Sequence, residues 1–258
     1  MSVRIHPTAL VDPAAVLGAD VDIGAFAIVG AGVTLGDGTK VLSRATLECN
    51  VRVGQGAVIG VGSILGGPPQ DLKYAGEETW VEIGDRTVIR EYSTINRGTT
   101  ASRLTRVGAG CLIMSYVHVA HDCHIGDGVI IANGTQLAGH VTIQDRATLS
   151  GLVGCHQFVT IGTMAFVGGN SKVTQDVPPY TKAVGNPASL YGLNAVGLQR
   201  AGFAPETLAG LKRAYRLLFN SELTQAEALE RLRGEFPHLA EVTRFLDFVA
   251  HAQRGVPA

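Results

Sequence analysis

Residues 107–137 read VGAGCL IMSYVH VAHDCH IGDGVI IANGTQ L, and a valine, isoleucine or leucine opens every six-residue block. The register extends in both directions. From Ile5 to Val173 there are 29 slots spaced by six, of which 25 hold Val, Ile or Leu; the exceptions are Asp71, Glu77, Ala101 and Cys155. These three residue types total 66 of 258 residues, so random placement would fill only about seven slots. One apolar residue in six is neither the helical period nor the alternation of an ordinary sandwich strand. The pattern predicts a prism of short strands: three hexads make one triangular coil, and each coil hydrogen-bonds to the next at the inter-strand spacing of about 4.8 Å.

Glycine often follows the apolar residue, as in Ile23-Gly24, Leu35-Gly36, Val53-Gly54, Ile83-Gly84 and Ile125-Gly126. The expectation is a tight turn there, in a conformation that larger residues avoid. Composition points the same way. The chain has 33 glycines and only 6% aromatics, and the usual glycine share is about 7%, so the core should be narrow and repetitive. Lys+Arg number 21 against Asp+Glu 22, which lacks the basic excess of a nucleic-acid-binding protein.

No apolar run approaches the roughly 18 residues of a membrane span. The N-terminus, MSVRIHPTAL, lacks the basic stretch and apolar core of a signal peptide. A cytoplasmic protein with no integral membrane segment is expected. Cys49, Cys111, Cys123 and Cys155 form no CxxC pair, so thiols are expected rather than disulfides.

The register breaks in GGPPQDLKYAGEETW (66–80) and TTASRLTR (99–106). These should be loops leaving the prism, and loops on a rigid scaffold tend to carry function. After DVPPY (176–180) the hexad ends and helical spacing begins. Leu208, Leu211, Tyr215, Leu218 and Phe219 share one face; Thr224 and Glu227 form a capping box; Leu239, Val242, Phe245, Leu246 and Val249 form another face. The organisation expected is a β-helix over 1–189 and a small C-terminal α-helical domain over 190–258, closing the prism or packing on a neighbouring subunit.

Five of the eight histidines fall between His118 and His156. Stepping by one coil takes His121 to Gly139 and then Gln157, and Asp122 to His140, so these residues and His156 should line one edge of three coils. Imidazole beside a carboxylate suits proton transfer near neutral pH. A bare Gly139 N–H could stabilise an oxyanion. A metal reading rests on His118, His121, Cys123 and His124, but strand neighbours point to opposite faces, so one chain cannot converge all four on an ion. A site shared between subunits, as in the zinc-dependent gamma-class carbonic anhydrases built on the same prism, stays open.

The segments IHPTALV (5–11), QDLKYAGEET (70–79), NRGTT (96–100), HVAHDCHIG (118–126), LAGHV (137–141), HQF (156–158), QDVPPY (175–180) and GLNAVGLQRAGF (192–203) together resemble the acyl-carrier-protein-dependent UDP-N-acetylglucosamine O-acyltransferases. That family begins lipid A biosynthesis. The resemblance implies a left-handed parallel β-helix, a homotrimer with sites between subunits, and transfer of a 3-hydroxy fatty acyl group from acyl carrier protein to the glucosamine 3-hydroxyl. It implies no cofactor or metal beyond the phosphopantetheine that carries the donor.

By the same resemblance, His121 is the general base, Asp122 orients it, and Gly139 meets the oxyanion. His118, His140, His156 and Gln157 line the sugar and pantetheine region; Asp71, with Lys73, reaches the sugar from across the interface; Asn194 and Arg200 hold the uridine diphosphate. Gly169 takes the position that measures acyl length, and a small residue there implies a long chain. Arg200, Lys212, Arg213 and Arg216 are the expected docking patch for the acidic carrier protein. The sequence departs from familiar members at Asn96, Val196 and Ala201, where histidine, an acidic residue and a second arginine are usual; losing that arginine weakens the phosphate clamp. The 3-amino analogue of the sugar is the alternative acceptor.

Overall fold

The computed structural model describes residues 2–257. Most strands are two residues long, one side chain outward and one inward, as in Ile130–Ile131, where the first is exposed and the second buried. Coils stack in parallel, Leu112 against Ile130 and Ile130 against Thr148. The result is three flat faces of eleven, nine and eight strands, here called first, second and third in chain order. Inward residues form columns: Ile59, Ile89, Ile113, Ile131, Leu149 and Val167 are all fully buried. Slim aliphatic side chains fill the prism, which explains the scarcity of aromatics.

The two excursions leave the ladder intact. Val58 pairs directly with Val88, and Val88 with Leu112, although more than one coil of sequence separates each pair. The 66–80 segment leaves after strand Ile64–Gly67 and returns in Trp80–Ile83; the 99–106 segment returns in Leu104–Val107.

The glycine expectation needs correction. Gly24, Gly36, Gly54, Gly84 and Gly126 do not have left-handed φ; the left-handed residue comes two positions later in each turn, and at that position Phe26, Arg44, Arg86 and Arg146 occur as well as Gly56, Gly110 and Gly128. What demands glycine is the neighbouring coil. A Cβ on Gly84 would lie 2.5 Å from Ala109 N, and one on Gly36 would lie 2.7 Å from Gln55 N.

The prism ends with Thr181–Gly185 parallel to Phe166–Val167, followed by the antiparallel strand Ala188–Leu193. The boundary expected between 189 and 190 therefore falls inside a strand. Four helices follow: α1 (Ala195–Arg200), α2 (Pro205–Phe219), α3 (Gln225–Glu235) and α4 (Ala240–His251). The Thr224–Glu227 capping box starts α3 with both reciprocal bonds present. Val242, Phe245, Leu246 and Val249 are the buried face of α4; on α2 the buried face is Leu211 with Gly210, Ala214 and Leu217. These helices pack on Met164 and the fully buried Tyr180, so they close the end of the prism within the chain. All four cysteines are free thiols.

Candidate active site

His121 and Asp122 lie in the turn between the second and third faces, after strand His118–Val119. The Asp122 side chain is fully buried and His121 is 14% exposed, with His121 Nδ1 2.8 Å from Asp122 Oδ2. The carboxylate is held on every side. Thr99 donates its N–H to Oδ1 at 3.0 Å and its hydroxyl to Oδ2 at 2.7 Å, and the Ser102 N–H and hydroxyl both donate to Oδ1. Burial works against the charge, but the hydrogen bonds from Ser102, His121 and Thr99 overcome it and hold Asp122 at about 2. A charged, immobile carboxylate fixes Nδ1 of His121 as a donor and leaves Nε2 as the basic atom.

Gly139 sits under the ring. A Cβ there would lie 2.5 Å from His121 Cε1 and 2.7 Å from Nε2, so only glycine lets the imidazole occupy its place. At the turn between the third and first faces, the equivalent N–H groups of Ala19, Gln55 and Ala109 are capped by Asp37, Asp85 and Asp127. No described group accepts from Gly139 N–H, which leaves its donor unused in a residue that lines a groove.

That groove, of about 530 Å³, runs along the second face and is lined by His118, His121, Gly139, His156 and Gln157. Of these, His121, Gly139, His156 and Gln157 are the ones the coil register brings to one edge; His118 is expected there by resemblance alone. His118 accepts or donates at Nδ1 to Thr94 Oγ1, 2.7 Å away, and burial, then the neighbouring His121, lower its pKa. Gln136, Gly154 and Lys172 also line the groove. Each continues the His118 column by one coil, a signal present in the sequence and not used. Gln70 comes from the 66–80 loop of the same chain.

His140 is turned to the other side of the corner. It stacks on Phe158 with ring centroids 4.4 Å apart and meets His121 edge-on at 5.2 Å. Here it shares a second groove, of about 420 Å³, with Asp71, Lys73, Tyr74 and Thr99. The loop bearing Asp71 and Lys73 thus folds onto its own chain's corner. His121, Asp122 and His140 are the group whose ligating atoms come within 4.8 Å of one another. Asp122 Oδ2 already receives His121 and Thr99 there, and His140 is held beside them by its stack on Phe158. His124 is exposed on the third face and Cys123 is buried, which keeps the four-residue metal cluster apart.

Asn194 and Arg200 do not line the His121 groove. Asn194 caps α1 by accepting from Gly197 N at 3.2 Å, and it donates to Met164 O at 3.0 Å. Gly169 lies at the opposite edge of the second face, in the turn after Phe166–Val167, packed against Gly151 O. Lys212 and Arg216 are exposed, while Arg213 Nε lies 3.2 Å from Glu235.

Residues 104–139 match the family model described as bacterial transferase hexapeptide (six repeats), and residues 176–257 match UDP N-acetylglucosamine O-acyltransferase, domain 2. The acyl-[acyl-carrier-protein]–UDP-N-acetylglucosamine O-acyltransferase of Thiobacillus denitrificans is 47% identical over 98% of each chain, and that of Syntrophobacter fumaroxidans is 47% identical over 98% of this chain and 99% of its own. Among solved structures, LpxA from Acinetobacter baumannii matches with TM-score 0.95, 41% identity and coverage of 98% and 99%. UDP-N-acetylglucosamine acyltransferase from Bacteroides fragilis gives 0.96, 38%, and 98% and 100%. Fold and corner together define a hexapeptide-repeat acyltransferase with a left-handed parallel β-helix. Full-length similarity narrows the class: the chain belongs to the UDP-N-acetylglucosamine O-acyltransferase family.

Proposed function

We propose that this chain transfers a long-chain 3-hydroxyacyl group from acyl carrier protein to the glucosamine 3-hydroxyl of UDP-N-acetylglucosamine, the first step of lipid A biosynthesis. The observation that carries this reading is the His121 ring seated over Gly139 and backed by Asp122 in an open groove. Relatives 47% identical are named for the same reaction.

His121 Nε2 takes the proton from the sugar 3-hydroxyl as its oxygen attacks the thioester carbonyl. The new C–O bond forms and the Gly139 N–H receives the oxyanion. Asp122 stabilises the imidazolium that results. Collapse of the adduct breaks the C–S bond, and His121 returns the proton to the departing phosphopantetheine thiolate. The protein's own groups supply every proton transfer, so the only prosthetic chemistry is the carrier's thioester.

His118, His156 and Gln157 then line the sugar and pantetheine path, with His140, Asp71 and Lys73 on the far side of the corner. Gly169, at the far edge of the same face, limits acyl length. Asn194, with the donor and lone pair that capping leaves over, and Arg200 hold the uridine diphosphate. A homotrimer accounts for one apolar column: Tyr92 and Tyr116 stack 5.4 Å apart at the turn between the first and second faces, and Leu152 continues the line at 63% exposure. Arg200, Lys212 and Arg216 offer the carrier protein a basic patch, with Arg213 shared with Glu235.

A panel of hydroxyacyl carrier proteins of several lengths, crossed with UDP-N-acetylglucosamine and its 3-amino analogue, tests the assignment. Ester product with long donors is expected. Exclusive amide formation would reassign the acceptor, and no transfer to either sugar would overturn the reading.

A further inference from the structure

The four residues Asn96–Thr99 touch both the 66–80 loop and the catalytic corner. Asn96 Nδ2 donates to Pro68 O at 2.9 Å, and Arg97 N donates to Gly67 O at 2.9 Å. Arg97 as a residue is 9% exposed. Its Nη1 donates to Gly66 O at 2.6 Å and to Cys49 Sγ, and its Nη2 donates to Tyr74 OH at 3.0 Å. Tyr74 passes the chain on, donating to Glu77 O at 2.9 Å. Two residues later, Thr99 supplies two of the hydrogen bonds that hold Asp122.

A buried guanidinium normally has a carboxylate partner, because taking a cation out of water is costly. Among the described residues Arg97 has none, and its Nε has no hydrogen-bond partner. All its acceptors are neutral, and two of them, Gly66 and Tyr74, belong to the loop: one at its root, one past Asp71 and Lys73. A guanidinium is a planar fork of fixed donors, so it sets the separation between these two points. The Asp71 side chain is in turn fixed within the loop, accepting from Lys73 N at 3.0 Å.

We propose that Asn96–Thr99 is a clamp that ties the sugar-facing loop to the base's carboxylate, with Arg97 and Tyr74 as positioning residues that set affinity for the nucleotide sugar. They act through Asp71 and Lys73 and need not touch substrate. The clamp also gives Asn96 a use where the family commonly has histidine: its amide reaches the loop backbone at Pro68. The proposal rests on the reading that Asp71 and Lys73 meet the sugar.

The test is a kinetic and proteolytic comparison of Tyr74→Phe, Arg97→Lys and the double variant in the full chain. Tyr74→Phe removes one hydrogen bond, so KM for UDP-N-acetylglucosamine should rise about 3- to 10-fold. Its kcat should stay within about twofold, with KM for the acyl carrier protein donor and the pH profile unchanged. Arg97→Lys should show the same split more strongly, and the double variant should be less than additive because both remove one contact. Trypsin should cut after the exposed Lys73 faster in each variant. Should Arg97→Lys not fold, Tyr74→Phe still decides. An unchanged sugar KM and cleavage rate, or an equal rise in both KM values, overturns the clamp. Asp71→Ala separates the two readings: if it leaves the sugar KM unchanged, the loop's substrate role fails, and if only Asp71→Ala raises it, the clamp fails.

Discussion

Asp122 is a charge with no exposed side-chain surface, kept ionised by donors that converge on both of its oxygens. Its folded pKa, about 2, lies below the ordinary 3.8. A depressed carboxylate contributes stability that is present above the ordinary value and lost as pH falls through the folded one. Urea midpoints measured from pH 5 down to pH 2 should therefore decline more steeply for the native chain than for Asp122→Asn; identical slopes would show that the carboxylate is not so held. The pairing of His121 with Asp122 was legible because the two are adjacent at a turn, and Gly139 because it lies one coil away. Thr99 and Ser102 were not legible as the carboxylate's donors. They sit in an excursion outside the hexad register, and no periodicity fixes where such a segment returns.

At the level of the coil, two kinds of glycine have different reasons to be there. Gly84 has its Cβ position blocked by the backbone of the next coil, whereas Gly110 has left-handed φ of 63° and open space beyond it. Gly84→Ala should destabilise by about 1–3 kcal/mol through overpacking. Gly110→Asn should stay within about 1 kcal/mol, since Asn50 and Asn170 already occupy left-handed turn positions. Urea denaturation of the two variants checks this, and equal losses would contradict it. Sequence spacing located the coils from Ile5 to Val173, because a six-residue period with one inward side chain admits little else; it did not reach Thr181–Gly185, which stacks on Phe166–Val167 outside the register. It misassigned the glycines because close approach between coils and turn conformation leave the same residue in the sequence. On α2 the face read from spacing missed Leu217, which helix packing buries.

The whole molecule is a prism with a helical cap and an apolar column of Tyr92, Tyr116 and Leu152 along one edge. Monomers seldom expose such a line without a partner. Sedimentation should give three times the 27.0 kDa chain mass, and Leu152→Arg should dissociate the assembly; a native chain sedimenting at single-chain mass would contradict the trimer. Asn194 and Arg200 do not line the His121 groove within one chain, so the proposed nucleotide site is one that a neighbouring subunit would complete. That is why the helical domain's role was visible only through resemblance: its register bears no relation to the coils. The central claim is that His121, backed by Asp122 and seated over Gly139, is the base for acyl transfer. Its most direct test is single-turnover transfer from 3-hydroxyacyl carrier protein to UDP-N-acetylglucosamine by His121→Ala, with circular dichroism as the folding control. The account predicts a folded protein slowed by at least about 10²-fold; a folded His121→Ala that transfers at the native rate would contradict it.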